Sequence, residues 1–518
     1  MSEHAADKTQ GGPSPGRAGQ FGGRNVAGMT ARDALGSILP AAGWSAEQAN
    51  GVKFSGGADP VLPTPFRIGA AGAATLAASG IAAAELWRLR SGRWQDIGVD
   101  VRQATASLRS GHYMKLGDGE VSAGRNPIMG VYPARNGRWS YIHANFPNHR
   151  AAALGVLGCE ETRAAVTRAV AAWDARDLEE AIIAANGAGG MVRTASEWAQ
   201  HPQAAAIASL PLMEIVRIGD SEPEPLPAGE RPLSGIRVVD LTRVLAGPTC
   251  ARTLAEHGAE VMKISAEHLP NLGYQEFDTG HGKLNAYLDL REQRNLDTLR
   301  GLVRQADVFS QGYRPGALGA RGLSPEELAA IRPGLVYVSL SAFGHTGPWA
   351  SRRGFDTVVQ TVSGITSRQA EVVAGETGAG EAGAGRTGAG QAGAGETGAP
   401  QFYPVSAIDY CTGYLMATGA MIALRRRAEQ GGSWLVRISL AQVGKWIVDL
   451  GEVSADTLGG VAEEFSPEEL LDWSMETETP SGRLRHLKPV VRLSETPPFW
   501  ARPSVPLGYH QPVWPVRG

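Results

Sequence analysis

The stretch that most limits what this chain can become is Pro232–Ile264, PLSGIRVVDLTRVLAGPTCARTLAEHGAEVMKI. Ile236–Leu241 is a short β-branched run behind Gly235, the pattern of a strand covered on both faces. Gly247 and Pro248 stop that strand and open a helix, which makes Thr242–Pro248 a loop. Thr249–His257 has helical spacing, Gly258 is placed to end it, and Glu260–Ile264 reads as a second strand. Strand, loop, helix and strand make a βαβ unit, and the loop after its first strand is where open parallel sheets take ligands. The G-x-G-x-x-G nucleotide fingerprint is absent and the loop reads LAGP, which argues against a nicotinamide or flavin dehydrogenase.

A chain of 518 residues has room for roughly two or three domains. A net charge of −3 gives no reason to expect a nucleic-acid partner or a polybasic membrane contact. The three cysteines, Cys159, Cys250 and Cys411, lie too far apart in sequence to suggest a disulfide framework or a zinc site. With a polar, Gly/Pro-rich beginning that lacks the pattern of a signal peptide, they point to a reducing, cytoplasmic setting. Ile68–Trp87 is apolar but built from Ala and Gly, and it runs into Glu85, Arg88 and Arg90, so it reads as a packed core helix and not a membrane span.

Two distant strings share a helix, turn and strand pattern: IGAAGAATLAASGIAAAELWRLRSGRWQDIGVDVRQA and IDYCTGYLMATGAMIALRRRAEQGGSWLVRISLAQV. Laid together from their strand ends, Trp94 falls opposite Ser433 and Ala70 opposite Asp409, so part of a unit is duplicated and the early copy lacks the acid. Residues 1–30 read as a disordered tail and 31–108 as a partial repeat of the large domain. Residues 109–220 read as a small α/β domain, with Asn136-Gly137 turning a hairpin. Alternating strands and helices over 232–450 predict a Rossmann-like, doubly wound parallel sheet. Within it, 374–399 is a low-complexity insert repeating AGETG and its variants. The Pro-rich segment 451–518 reads as extended chain over the sheet. The fold class expected is therefore α/β, a Rossmann-like doubly wound sheet domain plus a smaller α/β domain.

Asp409 stands directly before the helical run Tyr410–Arg427. The commonest reason for Asp at such a place is helix capping, and the helix terminus should keep the acid ionised. Histidines 143, 149, 257 and 281 lack the spacing of a metal site, and neither a G-x-S-x-G elbow nor a Walker loop occurs.

The wording of the opening stretch resembles the class III CoA-transferases, a family that includes carnitine dehydratase-like proteins and α-methylacyl-CoA racemases. Their first βαβ unit looks like PL-G-RVLDLTRVLAGP…LADLGADVIKVE. Pro232, Leu233, Gly235, Asp240, Leu241, Ala246, Gly247, Pro248, Gly258, Ala259 and Lys263 match it, with Ser265 near the usual Glu. Asp409 with Thr412 and Gly413 resembles the family's D-x-x-TG, and the resemblance implies that Asp409 attacks an acyl-CoA thioester. It implies a coenzyme A contact set of Arg243, Val244, Ala246, Lys263, Tyr313, Arg314 and Arg321, with Lys283 a further candidate cation. GYRPG at Gly312–Gly316 resembles the family's NFRPG; Ala320 stands where the following arginine is usual, Arg321 is one place late, and Leu284 follows Lys283. Racemases of the family carry G-H-D where this chain has Gly354-Phe355-Asp356, which argues against racemisation, and His345 reads as a turn residue. The small domain precedes the large one here, like the tail of one family unit fused to the head of a second. Also implied are acyl-CoA and a carboxylic acid as substrates, no permanently bound cofactor, no metal, and a homodimer. The rival reading is a non-catalytic paralogue or scaffold.

Overall fold

The computed structural model describes residues 28–121, 126–376 and 399–516. Most of the expected disordered tail, 1–27, and most of the low-complexity insert, 377–398, lie outside the described residues.

The βαβ unit read from sequence forms the centre of a seven-stranded sheet. Its strands are Arg237–Asp240 and Glu260–Ser265, joined by the helix Ala246–Glu256, and Gly258 takes the positive φ of 108° needed just past the helix end. Across the sheet the order is Lys283–Tyr287, Glu260–Ser265, Arg237–Asp240, Val308–Gln311, Val336–Ser341, Ser433–Ser439 and Glu214–Gly219. The first six are parallel, and their order reverses on either side of Arg237–Asp240, as in a doubly wound sheet. Glu214–Gly219 closes one edge antiparallel to Ser433–Ser439. It arrives from the residues that precede the sheet in sequence, so the first part of the chain is woven into the second.

A smaller sheet of Gly130–Pro133, Trp139–Ile142 and Gly189–Met191 has its own core, including Tyr132, Ile142, Val166, Leu178 and Ile182. Asn136 and Gly137 both have positive φ (61° and 69°), the conformation that an Asn-Gly hairpin requires. In the duplicated early unit, Val52–Ser55 and Ile97–Asp100 pair in parallel beside the helix Ile68–Ser91.

Ile68–Ser91 and Ala407–Gln430 are both long and apolar enough to cross a membrane, and both are enclosed by the protein. They lie side by side in the same direction. Near their starts the Cys411 thiol meets the Thr75 hydroxyl, and near their ends Glu85 pairs with Arg425 at 2.9 Å.

The C-terminal segment departs from the extended chain expected for 451–518. Ser466 and Glu469 form a capping box around the helix Pro467–Trp473, and a hairpin follows over Ser474–Thr479 and Gly482–Leu487. Beyond it Arg492–Leu493 pairs antiparallel with Ile97–Asp100, and only after that does the chain run without regular structure. It lies along the outer strand of the large sheet, where Asn285 and His510 exchange backbone and ring bonds of 2.7 and 3.1 Å.

Candidate functional site

The loop after Arg237–Asp240 is held under tension. Val244 has φ 71°, left-handed backbone that a β-branched residue enters only against steric cost, of order 1–3 kcal/mol. Asp240 fixes the near side by accepting from the Thr242 N–H at 2.9 Å and from its hydroxyl at 2.5 Å. Gly247 lies so close to Thr242 that a Cβ there would sit 2.3 Å from the threonine Cβ. Ala246 is the first residue of the following helix and is buried. The helix Ala407–Gln430 comes against this turn through Gly413, where an added Cβ would lie 2.5 Å from the Ala246 carbonyl oxygen. Asp409 is one turn earlier on the same face as Gly413, which directs the acid toward the loop.

Several residues expected to hold coenzyme A meet at the carboxyl ends of adjacent strands. Lys263 pairs with Glu276 at 3.0 Å. Burial lowers Arg243, whose charged neighbours are Tyr313 and Glu276, and its guanidinium lies 5.5 Å over the Phe146 ring. Burial raises the Tyr313 hydroxyl, opposed by the charges of Arg243 and Lys263. Arg314 is exposed on the wall of a cavity of about 240 Å³ over the ends of Val308–Gln311, Val336–Ser341 and Ser433–Ser439. Tyr313, Gln311, His345, Arg437 and Gln442 share that wall; Asp409 does not. Arg321 is turned elsewhere, donating to the Leu290 carbonyl at 2.7 Å.

Lys283 does not fit the role of a phosphate cation. It is wholly buried and bonds Asp240 at 3.1 Å and the Pro248 carbonyl at 2.8 Å, while burial pulls it down to about 8. It braces the two sides of the loop.

Asp409 is the third residue of its helix, because the helix begins at Ala407, three residues earlier than the Tyr410 start the sequence pattern suggests. It does not cap that helix. Asp356 accepts the Asp409 N–H at 2.9 Å, the task an N-terminal acid would otherwise perform. Asp356 is itself held by the Gln360 amide, and the Gln360 carbonyl accepts the Tyr403 N–H at 2.8 Å. Among the described residues nothing donates a hydrogen bond to the Asp409 carboxyl, which is 8% exposed as a residue. Burial first, and then the charge of Asp356, push Asp409 well above the usual carboxylate range; Asp356 is raised to about 6 by burial. The expectation that the helix terminus keeps Asp409 readily ionised is thereby corrected, since desolvation and a second acid outweigh it. Two acids so placed titrate as a pair.

Reading Gly354-Phe355-Asp356 for the missing histidine overlooks the acid beside it. Phe355 stacks on His143 at 3.9 Å and 3°, with His149 and Phe146 around it. Burial lowers His143 to about 3 and His149 to about 4, so both rings are neutral near pH 7. No spacing in the sequence joins these residues to Phe355. Among the described residues no three His, Cys, Asp or Glu side chains are grouped as metal ligands would be.

The family model for CoA-transferase family III matches residues 37–222 and 233–464. The chain is 27% identical over 535 residues to an acyl-CoA transferase of Gibberella moniliformis, covering 89% of this chain and 90% of that protein. It is 28% identical over 350 residues to the acetyl-coenzyme A transferase nodX of Hypoxylon pulicicidum, where the match takes in 63% of this chain and 55%, about half, of the relative. Among solved structures, a CAIB/BAIF family protein from Brucella suis is 30% identical over 42% of this chain and 55% of its own, with a TM-score of 0.33.

Proposed function

The chain belongs to CoA-transferase family III, and from that premise we propose that it moves coenzyme A from an acyl-CoA thioester to a carboxylic acid through Asp409. The observation that carries the reading is the carboxyl itself. It is buried, bonded to no donor among the described residues, and relieved of capping by Asp356. A carboxylate without hydrogen-bond donors keeps its electron density for attack on a carbonyl carbon.

In the reaction proposed, Asp409 attacks the thioester carbonyl from its ionised form, the minority form that burial leaves it, and expels coenzyme A as thiolate, leaving a mixed anhydride. The thiolate attacks the aspartyl carbonyl of that anhydride, releasing the donor acid and leaving an aspartyl thioester. The acceptor carboxylate then displaces the thiolate to form a second anhydride. Return of the thiolate to the acceptor's carbonyl gives the new acyl-CoA and restores Asp409. Each step exchanges one acyl bond for another, so no water or redox partner enters.

Arg243, whose charge reaches Tyr313, and Arg314, on the cavity wall with Tyr313, supply cations between the strained loop and the cavity. Arg321, bonded to Leu290, is given no part.

Incubation with acyl-CoA esters followed by hydroxylamine should leave a hydroxamate on Asp409, found by peptide mass spectrometry. Asp409→Asn should leave none. A wild-type protein that forms no adduct with any CoA ester would favour a non-catalytic paralogue.

A further inference from the structure

The early unit has no acid at Ala70, yet the fold keeps it and packs it against the working one. That arrangement bears on how many chains the site needs. We propose that this chain is its own partner: the first half covers the surface a second subunit would cover, and the site is complete within one monomer. The inference rests on the family reading only for the expectation of a homodimer.

Three sets of observations support it. First, Ile68–Trp87 and Ala407–Leu424, all but the last turns of the two long helices, are buried on every side, which a helix can be only when other elements enclose it. Each forms part of the other's enclosure, through the Thr75–Cys411 contact at one end and the Glu85–Arg425 pair at the other. The apolar surface of the nucleophile's helix is therefore already covered inside one chain.

Second, residues of the first half reach the residues that frame Asp409. Ser110 donates to the Tyr410 hydroxyl at 3.0 Å, next in sequence to the nucleophile, and the Tyr414 hydroxyl donates to Ser107 at 3.1 Å. The Tyr141 and Thr357 hydroxyls meet at 2.9 Å beside Asp356. His143 stacks on Phe355, and Phe146 lies under the Arg243 guanidinium.

Third, the large hydrophobic side chains exposed among the described residues are scattered: Leu89, Trp94, Leu471, Phe499, Tyr509, Val513 and Val516. Five of these lie in the C-terminal segment. Obligate dimers bury a broad and mainly apolar face, on the order of 2,000 Å² or more in total, and these side chains do not compose one.

Light scattering of the purified full chain across a wide dilution series is the test. The expected mass is that of one chain, 54.5 kDa, throughout. Activity per chain should stay constant on dilution, with one hydroxylamine-trapped adduct per chain. A stable species of twice that mass, or activity per chain that falls as the protein is diluted, would overturn the proposal. The two readings fail separately: a monomer without adduct defeats the proposed chemistry alone, and an adduct-forming obligate dimer defeats the self-partnered chain alone.

Discussion

The two copies of the duplicated unit handle the start of their long helix in nearly the same way. In the early copy, Asp59 accepts the N–H of Gly69 at 2.9 Å and of Ala70 at 2.8 Å. In the late copy, Asp356 accepts the N–H of Asp409 at 2.9 Å. Ala70 and Asp409 are the residues that fall opposite when the strings are laid together. The correspondence continues past the helix, where Asp100 and Ser439, again opposite, each cap the next helix. One carboxylate is thus present in both copies and the other in a single copy. Holding the backbone N–H of a buried helix start is a need of the fold, and it persists without chemistry. A second carboxyl at 409 meets no such need, and the early copy folds without one.

Substitutions in the two copies should separate these roles. The largest effect belongs to Asp409→Asn, which should lower turnover on the order of 10⁴-fold, as loss of a covalent nucleophile does, with the protein still folded. Asp59→Asn in the early copy should leave kcat unchanged; a comparable fall would mean that the early copy takes part in the chemistry.

Next is Ala70→Asp, which restores the missing acid. Ala70 is buried, and the space beside Gly69 is filled by Asp59, Val61 and Thr105. The added carboxyl should destabilise by about 3 kcal/mol in urea unfolding and yield no second hydroxylamine adduct. Two adducts per chain would show the early site to be merely unarmed.

A smaller cost is expected for Asp59→Ala, about 2 kcal/mol from two helix N–H groups left unpaired in the interior, read again by urea unfolding with activity retained.

The subtlest contrast is in pH. Asp356 is raised by burial from the ordinary 3.8 to about 6, so its proton is held more tightly in the folded state than in the unfolded one. That contribution to stability is present below the ordinary aspartate value and is lost as pH rises to about 6. Asp356→Asn should flatten this fall. It should also move the acid limb of kcat/KM to lower pH, because Asp409 no longer faces a second negative charge. A profile unmoved by the substitution would separate Asp356 from the ionisation of the nucleophile.

The central βαβ unit and the duplication are legible because both are local: β-branched runs, a Gly-Pro stop, and two strings of equal pattern. The partnership of the acids is not. Asp59 lies 11 residues from Ala70, whereas Asp356 lies 53 from Asp409 with the Ala/Gly/Glu insert between them, so no common spacing signals the shared bond. The lysines mislead for a related reason. A strand's alternation does not reveal whether a lysine faces solvent or a buried acid, and Lys263 and Lys283 meet Glu276 and Asp240. In the C-terminal segment the signal is present but overshadowed. Ser466-Pro467-Glu468-Glu469 repeats the capping box of Ser324-Pro325-Glu326-Glu327, set in a proline-rich context that reads as extended.

The Gln360 amide has a consequence for how this sequence can drift. By gripping Asp356 with one end and the Tyr403 backbone with the other, it joins residues that flank the five-residue repeats in sequence. Copies of that repeat can then be gained or shed while the two acids keep their separation. The entropic cost of closing a longer connection rises only logarithmically, about 0.6 kcal/mol per doubling. Lineages of this protein should differ freely in repeat number and hardly at all in the residues that clasp its base.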